Sequence, residues 1–434
     1  MKKIFNIQNT VILAAIFLFT ACKKDYGNLN GATVEVYQNN ATIAQLNNLV
    51  SGTESGMRNS IAFYLDDVGT IGREIYHFSN SEPRYVTDLL GASNATLSGS
   101  NFYISTPWAS RYRVVKNCNV LIEAATKSTI ISDAQRKAYT GFAKTIKAYQ
   151  LLLNLNLTDS NGIRMAVDNP DNLGPIVDYN TALSGISSLL DEGVNDLTGA
   201  DVPFPLAGFG KFGDAAGLVK FNRALAARVD VYAKKWAEAL TALNGSFMDL
   251  NGDFNTGVYN VFGTGSGDQL NPAFIPQNQT GEVRVAHPSF AEDILPNDDR
   301  IGKATLRNST ASISAGLSSD RDVWVYTSST APIPIIRNEE LILIYAEANI
   351  QLNNFTDAVN ALDIIRQKHG LPDYSGPQTQ NALIDEMLYE RRYSLFFEGH
   401  RWIDLRRYNK LDELPLDRPD DNIWTEFPLP VTEQ

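Results

Sequence analysis

Apolar residues recur every three or four positions along much of the chain, the spacing that places side chains on one face of an α-helix. This spacing predicts helices over residues 43–57, 108–122, 138–153, 183–197, 221–243, 341–352, 358–365 and 383–397. Residues 59–107 and 244–336 are instead rich in Gly, Asn, Ser, Thr and Pro, which predicts long loops with short strands. The pattern therefore indicates a mainly α fold with one irregular half, and loops of this length are usually functional.

Two of the predicted helices repeat one another. Residues 236–243 (Trp-Ala-Glu-Ala-Leu-Thr-Ala-Leu) match residues 355–362 (Phe-Thr-Asp-Ala-Val-Asn-Ala-Leu). An aromatic residue followed by Ala three positions later and Leu seven positions later is typical of the second helix of a tetratricopeptide unit. The small alanine lets two helices approach closely, and the aromatic ring fills the space between them. The repeat therefore predicts a scaffold of tetratricopeptide-like helix pairs.

The N-terminal residues have the pattern of a bacterial lipoprotein signal. Lys2 and Lys3 precede an apolar run of nine residues at 11–19, which is too short to cross a bilayer, and Thr-Ala-Cys follows and ends at Cys22. Acyl chains on this cysteine would anchor the protein to a membrane. The expected divisions are a signal peptide at 1–21, a flexible tether at 22–40 that begins with the acylated cysteine, and a single domain at 41–434.

Composition narrows the classes of partner and cofactor. Asp and Glu number 49 against 37 Lys and Arg, and the formal charge of −12 argues against nucleic acid as a partner. With four His, two Cys and no CxxC or HExxH motif, no metal site and no cofactor is expected. Cys118 lies on the apolar face of a predicted helix, which indicates an inert buried thiol.

Two segments partly match known ligand-binding motifs. Residues 208–213 match G-x-G-x-x-G, but Pro203 and Pro205 stand where the required buried strand should run. A loop leading into the helix around Phe221 is therefore favoured. Residues 249–255 alternate Asp and Asn as calcium loops do, but the glycine and the bidentate glutamate of such loops are out of place. A polar turn is favoured there, with calcium as the less favoured alternative.

The C-terminal third contains several motifs in a fixed order. They are Ile-Pro-Ile-Ile-Arg-Asn-Glu-Glu at 333–340, Ala-Leu-Asp-Ile-Ile-Arg at 361–366, Glu-Arg-Arg at 390–392, Phe-Glu-Gly-His-Arg-Trp at 397–402 and Phe-Pro-Leu-Pro at 427–430. Together, over about residues 333–434, these motifs resemble the SusD/RagB family of nutrient-binding outer-membrane lipoproteins of Bacteroidetes.

This resemblance implies a SusD-like fold, in which tetratricopeptide-like helix pairs form the scaffold and the irregular half binds the ligand. It also implies a lipid-anchored protein of the outer membrane, facing the cell exterior, that captures an oligosaccharide or polysaccharide. The ligand would pass to a SusC-like TonB-dependent transporter. Two alternatives remain open: a non-glycan nutrient such as peptides, and a surface scaffold protein without a small-molecule ligand. Long aromatic-rich loops argue against the scaffold, which does not need them.

The charged run at 390–402 has the density of an active site. Glu390 and Glu398 resemble the acid and base of a glycosidase. The other interpretation is that they form buried pairs with arginines, which bind carboxylates through two hydrogen bonds. The family resemblance favours these structural pairs. We therefore expect no catalytic residue in this cluster and no enzymatic activity.

Aromatic residues outside the helical pattern are the candidates for ligand contacts. Sugar rings stack on aromatic planes, while their hydroxyls bind carboxylates, amides and guanidinium groups. The candidate ligand-binding residues are Asp66, Asp67, Arg73, Tyr76, Phe78, Tyr85, Tyr103, Trp324 and Tyr326. The segment 250–275, with Tyr259, Phe262 and Phe274, is the second choice for the site.

Overall fold

The computed structural model describes residues 40–308 and 311–433. The helices in this part of the chain are α1 (Ile43–Met57), α2 (Ile61–Ile71), α3 (Arg84–Thr87), α4 (Phe102–Lys127), α5 (Asp133–Thr158), α6 (Tyr179–Leu197), α7 (Ala215–Tyr232), α8 (Trp236–Asn244), α9 (Pro288–Glu292), α10 (Asn338–Gln351), α11 (Phe355–Lys368), α12 (Gln380–Ser394) and α13 (Arg401–Arg407). The prediction of a mainly α-helical protein is confirmed. The predicted signal peptide, Cys22 and nearly all of the predicted tether lie outside the described residues.

The long helices pack on one another in chain order. α4 packs against α5, α5 against α6, α6 against α7, and α7 against α8. α8 then contacts α10, and α10 contacts both α11 and α12. Packing of each helix on its neighbours along the chain is the arrangement of tetratricopeptide-like arrays. α1 lies against α4 at the start of this scaffold.

The two sequence repeats occupy equivalent places in the scaffold. Residues 236–243 lie in α8 and residues 355–362 in α11, and each of these helices follows its partner after a short turn. Lys234 and Asn353 have positive φ angles of 58° and 61°, each two residues before the aromatic that begins the second helix. The same backbone conformation therefore reverses the chain in both pairs, and the predicted helix pairs are confirmed.

Two assignments made from the sequence are wrong. The predicted single helix over 221–243 is two helices, α7 and α8, because Lys234 adopts a left-handed conformation. The hydrophobic spacing continues across this turn, so spacing alone does not show the break. The predicted loop region 59–107 contains α2, of 11 residues. Nearly every side chain of α2 is buried, and a helix buried on all sides has no polar face to reveal its period.

Short strands occupy the irregular half, except for one pair between α5 and α6. They are β1 (Ile75–Ser79), β2 (Ile163–Arg164), β3 (Ile176–Val177), β4 (Gly257–Asn260), β5 (Glu282–Ala286), β6 (Ala304–Leu306), β7 (Ser312–Ser314), β8 (Leu317–Ser319), β9 (Arg321–Val323) and β10 (Ile333–Arg337). A four-stranded antiparallel sheet has the order β1-β5-β9-β6, and β4–β10, β2–β3 and β7–β8 form antiparallel pairs. β10 runs directly into α10, which fixes the β4–β10 pair to the helical scaffold.

One hydrophobic core joins the helices to the irregular half, and a smaller cluster lies among α10, α11 and α12. Cys118 is fully buried in the main core, without a disulfide partner in the described part of the chain. Burial raises the pKa of its thiol to about 12, as expected for an inert side chain. Among the described residues, no helix combines the length and apolar character needed to cross a bilayer.

Candidate ligand-binding groove

Eight of the nine residues predicted to contact a ligand are buried in the structure. Each exposes at most 7% of its surface: Asp66, Asp67, Arg73, Tyr76, Phe78, Tyr85, Tyr103 and Tyr326. Trp324, the ninth, is partly exposed beside Phe274, with 6.1 Å between the ring centroids. In this arrangement the eight buried side chains make internal contacts instead of facing solvent. Tyr76 and Phe78 lie in a small core of the irregular half, whereas Tyr85, Tyr103 and Tyr326 belong to the main core.

Asp66 forms a buried ion pair between α2 and β5. Arg284 donates to its two carboxylate oxygens at 2.6 and 2.8 Å, and His77 Nδ1 lies 3.1 Å away. Burial favours the neutral carboxyl, but Arg284 and His77 hold the pKa of Asp66 at about 2. Neither carboxylate oxygen of Asp67 has a hydrogen-bond partner among the described residues. Burial, together with the charge of Asp66, raises the pKa of Asp67 well above its usual value.

The predicted aromatics pack against one another and against β1. Tyr76 and Phe78 stack with their ring centroids 5.5 Å apart, and Tyr85 stacks on His77 at 4.0 Å. The hydroxyl of Tyr103 donates to Asp88 at 3.1 Å. Every residue of β1 is buried, so both faces of this strand are covered. Alternation along the strand therefore turns its aromatic side chains toward a core and not toward solvent.

Arg73 and Tyr326 bind main-chain carbonyl groups. The Arg73 guanidinium donates to the carbonyl oxygens of Ile71 at 2.9 Å and Asn422 at 2.8 Å. The Tyr326 hydroxyl donates to the carbonyl oxygen of Phe397 at 3.1 Å. Both side chains thus hold the irregular half against the C-terminal segment. These hydrogen bonds satisfy the buried guanidinium and the buried phenol, which gives both residues a structural role.

A row of surface cavities lies elsewhere, and residues of the second-choice segment 250–275 form part of its lining. Four adjoining cavities have volumes of about 420, 350, 390 and 480 Å³. Neighbouring cavities share lining residues, which are Arg58 for the first two, Ala207, Tyr259 and Val261 for the next two, and Lys211 and Phe212 for the last two. We call this row the Tyr259 groove. Residues 51–63, 207–220 and 246–272 supply most of its lining.

Tyr259 is held at the centre of the groove by its backbone. It lies in β4 opposite Pro334 of β10, and its N–H donates to the carbonyl oxygen of Gly208 at 3.0 Å. A Cβ on Gly208 would lie 1.9 Å from the Tyr259 carbonyl oxygen, so this approach requires glycine. The neighbouring Val258 and Asn260 are buried while Tyr259 is partly exposed. The strand alternation therefore turns the Tyr259 ring toward the groove.

The groove walls carry polar atoms without partners in the described residues. Arg58 is ion-paired with Asp268 and donates to the Val261 carbonyl oxygen at 2.7 Å, but its Nε is unpaired. Both amide atoms of Asn260, which is 3% exposed, and Nε2 of Gln269 are also unpaired. Native proteins pair nearly all of their buried polar atoms. These residues therefore retain hydrogen-bonding capacity beside the groove, as a site for a polar ligand requires.

The charged C-terminal motifs are part of the scaffold. Arg300 donates to Glu390 at 2.6 Å, and Arg337 donates to Glu398 at 2.8 Å. Glu390 is fully buried, and the Glu398 side chain is 6% exposed. The predicted arginine–carboxylate pairs are confirmed. Since a glycosidase acid or base must reach a substrate, these buried partners do not form such a site in this arrangement.

The two motif-like segments adopt the predicted local structures. Residues 208–213 form a loop with a single 3₁₀ turn (Gly210–Phe212) that leads into α7. Asp249 and Asp253 each accept, at 2.9 Å, the N–H of the residue two positions later, so 249–255 contains two Asx turns. Within residues 40–308 and 311–433, no group of three His, Cys, Asp or Glu side chains is placed to hold a metal ion.

Comparison with known proteins shows which family the C-terminal motif region resembles. The model of the SusD family matches residues 277–423. This part of the chain is similar to the SusD family. SusD-like protein P38 of Formosa agariphila is 36% identical over 90 residues, which span 19% of this chain and 18% of that relative. The resemblance based on the motifs is confirmed. Apart from Pro332, the lining residues of the Tyr259 groove lie outside the region that the family model matches.

Solved structures of the SusD superfamily share the fold. One from Bacteroides vulgatus aligns with a TM-score of 0.68 at 14% identity, over 90% of this chain and 96% of that chain. Surface glycan-binding protein A from Bacteroides uniformis aligns with a TM-score of 0.63 at 15% identity, over 86% and 90% of the two chains. At these identities the similarity concerns the fold, and the predicted SusD-like architecture is confirmed.

Proposed function

We propose that this SusD-like protein is a surface glycan-binding protein that holds an oligosaccharide in the Tyr259 groove. The observation that carries the proposal is the row of four adjoining cavities joined at a partly exposed aromatic ring. Linked sugar units need an extended surface with an aromatic platform and hydrogen-bonding groups beside it. The structures with similar folds include proteins named for carbohydrate or glycan binding, which supports the same class of ligand.

Tyr259 is the residue on which this proposal depends most. Its ring is partly exposed and its backbone is held by β10 and Gly208, so the platform is rigid. Replacing Tyr259 by Ala should weaken oligosaccharide binding by roughly five- to 150-fold, the equivalent of about 1–3 kcal/mol for a stacking contact. Titration calorimetry of the purified protein against oligosaccharides of defined length would measure this loss.

Two variants serve as controls for this measurement. Tyr259→Phe keeps the ring and removes the hydroxyl, which donates to the Asn255 carbonyl oxygen, so it should bind within about threefold of the wild type. Tyr374→Ala removes a partly exposed tyrosine that lines none of the four cavities and should leave affinity unchanged. Unchanged affinity in Tyr259→Ala would contradict a site at Tyr259 and favour one at Trp324. Binding of peptides but of no oligosaccharide would contradict glycan binding.

The proposed role includes delivery of the ligand to a SusC-like TonB-dependent transporter. The protein would be tethered to the outer membrane through acylated Cys22, with 41–434 as the single ligand-binding domain. Support comes from the lipoprotein-like N-terminal pattern and from the family that residues 277–423 match. Surface capture leads to import when a channel takes over the ligand, and we propose that the barrel transporter supplies this channel.

A further inference from the structure

We propose that the end of the groove beside Arg113 binds the anionic group of an acidic sugar, either a carboxylate or a sulfate. The inference rests on the proposed oligosaccharide binding and names its ligand class. The site is the cavity of about 420 Å³ formed where the turn after α1 meets α4 and the loop at 269–272. We call it the Arg113 cavity.

The charge of this cavity differs from that of the whole chain. The formal charge of the protein is −12, yet the Arg113 cavity is lined by two arginines, Arg58 and Arg113, and by no Asp or Glu of the described residues. Arg58 is offset by its ion pair with Asp268. Arg113 therefore supplies a positive charge with no compensating carboxylate in the cavity wall, and such a charge favours an anion.

Arg113 has a different environment from the neighbouring arginine on the same helix. Arg111 is 1% exposed and donates at 2.9 Å to the Met57 carbonyl oxygen and to Gln150. Arg113 is exposed, and its side chain makes no hydrogen bond or ion pair with any described residue. Its planar fork of donors is free to bind two oxygens of a carboxylate or sulfate at once.

Further donors lie along the same wall. Arg58 and Gln269 line the cavity, and the buried Arg58 Nε and Gln269 Nε2 atoms have no partners in residues 40–308 and 311–433. Both groups donate hydrogen bonds, so their complement is a group rich in acceptor oxygens. Phe63 is partly exposed in the same lining and provides an apolar face beside these donors. An anionic substituent on a sugar ring matches this combination of donors, charge and ring surface.

The test measures the affinity of the full-length protein in detergent for three oligosaccharides of equal length: neutral, uronate-containing and sulfated. At least one acidic oligosaccharide should bind more tightly than the neutral one, and the better acidic probe identifies the anion. Arg113→Gln should weaken binding of that probe about tenfold, or about 1.4 kcal/mol, and leave the neutral probe within about twofold. Raising the salt concentration should weaken acidic binding to the wild type.

Lys116→Gln is the matched control, because Lys116 is exposed on α4 and does not line the cavity. It removes the same unit of charge and should leave all three affinities unchanged. Equal losses in Arg113→Gln and Lys116→Gln would overturn the proposal in favour of a general field effect. If the neutral probe binds through Tyr259 and no acidic probe binds more tightly, the proposed anion site is refuted, while oligosaccharide binding in the Tyr259 groove is supported. If none of the three binds, the oligosaccharide function fails together with it.

Discussion

Replacing Asp67 by Asn should change the pH dependence of stability. Asp67 is fully buried in α2, and neither of its carboxylate oxygens has a hydrogen-bond partner among the described residues. Burial and the adjacent charge of Asp66 raise its pKa well above the ordinary value of 3.8. Asn has nearly the same shape but does not ionise, so the substitution removes the titration and keeps the packing.

The sign of the effect follows from proton binding. Above pH 3.8 the unfolded chain releases the Asp67 proton, while the folded protein holds it up to a higher pH. Stability from this group is therefore complete below the unfolded pKa and is lost as the pH rises toward the folded pKa. Within that window the loss is up to about 1.4 kcal/mol per pH unit. The unfolding free energy of Asp67→Asn minus that of the wild type should therefore increase with pH by this amount.

Urea unfolding followed by tryptophan fluorescence at pH 5, 6 and 7 would measure this difference. The Asn amide also lacks partners at this position, which adds a constant offset at every pH, so the slope carries the information. A difference that stays flat from pH 5 to 7 would refute the reasoning, because it would mean that the folded carboxyl titrates like an exposed one.

Asp66→Asn changes the same buried cluster from the neighbouring position. Arg284 and His77 hold the pKa of Asp66 at about 2, so its stabilising effect is present above pH 3.8 and is lost as the pH falls toward 2. Removing this partner leaves the Arg284 charge buried and should cost about 3–5 kcal/mol. This cost should decrease as the pH rises from 5 to 7, because Asp66 also raises the pKa of His77 and of Asp67, and Asp66→Asn removes its contribution to both.

Two further predictions concern helix packing and the membrane partner. Gly141→Ala should lower stability by about 1–3 kcal/mol, because its Cβ would lie 2.7 Å from Leu197 Cγ and 2.8 Å from the Gly193 carbonyl oxygen. Gly52→Ala in α1, whose Cβ would meet nothing within 4 Å, should raise stability by up to about 1 kcal/mol through helix propensity. Equal shifts of the thermal unfolding temperature in the two glycine variants would contradict this contrast. Purification from outer membranes in mild detergent should yield protein acylated at Cys22 together with a large barrel protein in near-equal amount. Recovery without a barrel, while its operon neighbours are expressed, would reject the transporter partnership.

The family motifs and the candidate site lie in different parts of the chain. Glu390 and Glu398 are recognisable in sequence because buried ion pairs demand particular residue types at particular places. Apart from Pro332, the lining residues of the Tyr259 groove lie outside the matched residues 277–423. The motifs therefore reveal the scaffold, and the proposed ligand site lies almost entirely outside them.

Local sequence patterns determined most of the helices and the equivalence of the two helix pairs. The aromatic, Ala and Leu of residues 236–243 and 355–362 act within a few helical turns, so their spacing alone indicates close packing. The hydrophobic pattern does not reveal the turn at Lys234, because a left-handed turn without glycine leaves the spacing unchanged. It does not reveal α2 either, because a helix with nearly all of its side chains buried has no distinct polar face.

Tertiary structure alone decided which side chains face solvent. Tyr76 in β1 and Tyr259 in β4 both stand in short strands of the irregular half, but β1 is covered on both faces while Tyr259 is partly exposed. In the sequence, Asp66 is 218 residues from Arg284, which pairs with its buried charge. Arg58 is likewise 210 residues from Asp268, its ion-pair partner in the groove. Burial and ion pairing depend on distant segments meeting in space, and periodicity along the chain records contacts over a few residues only.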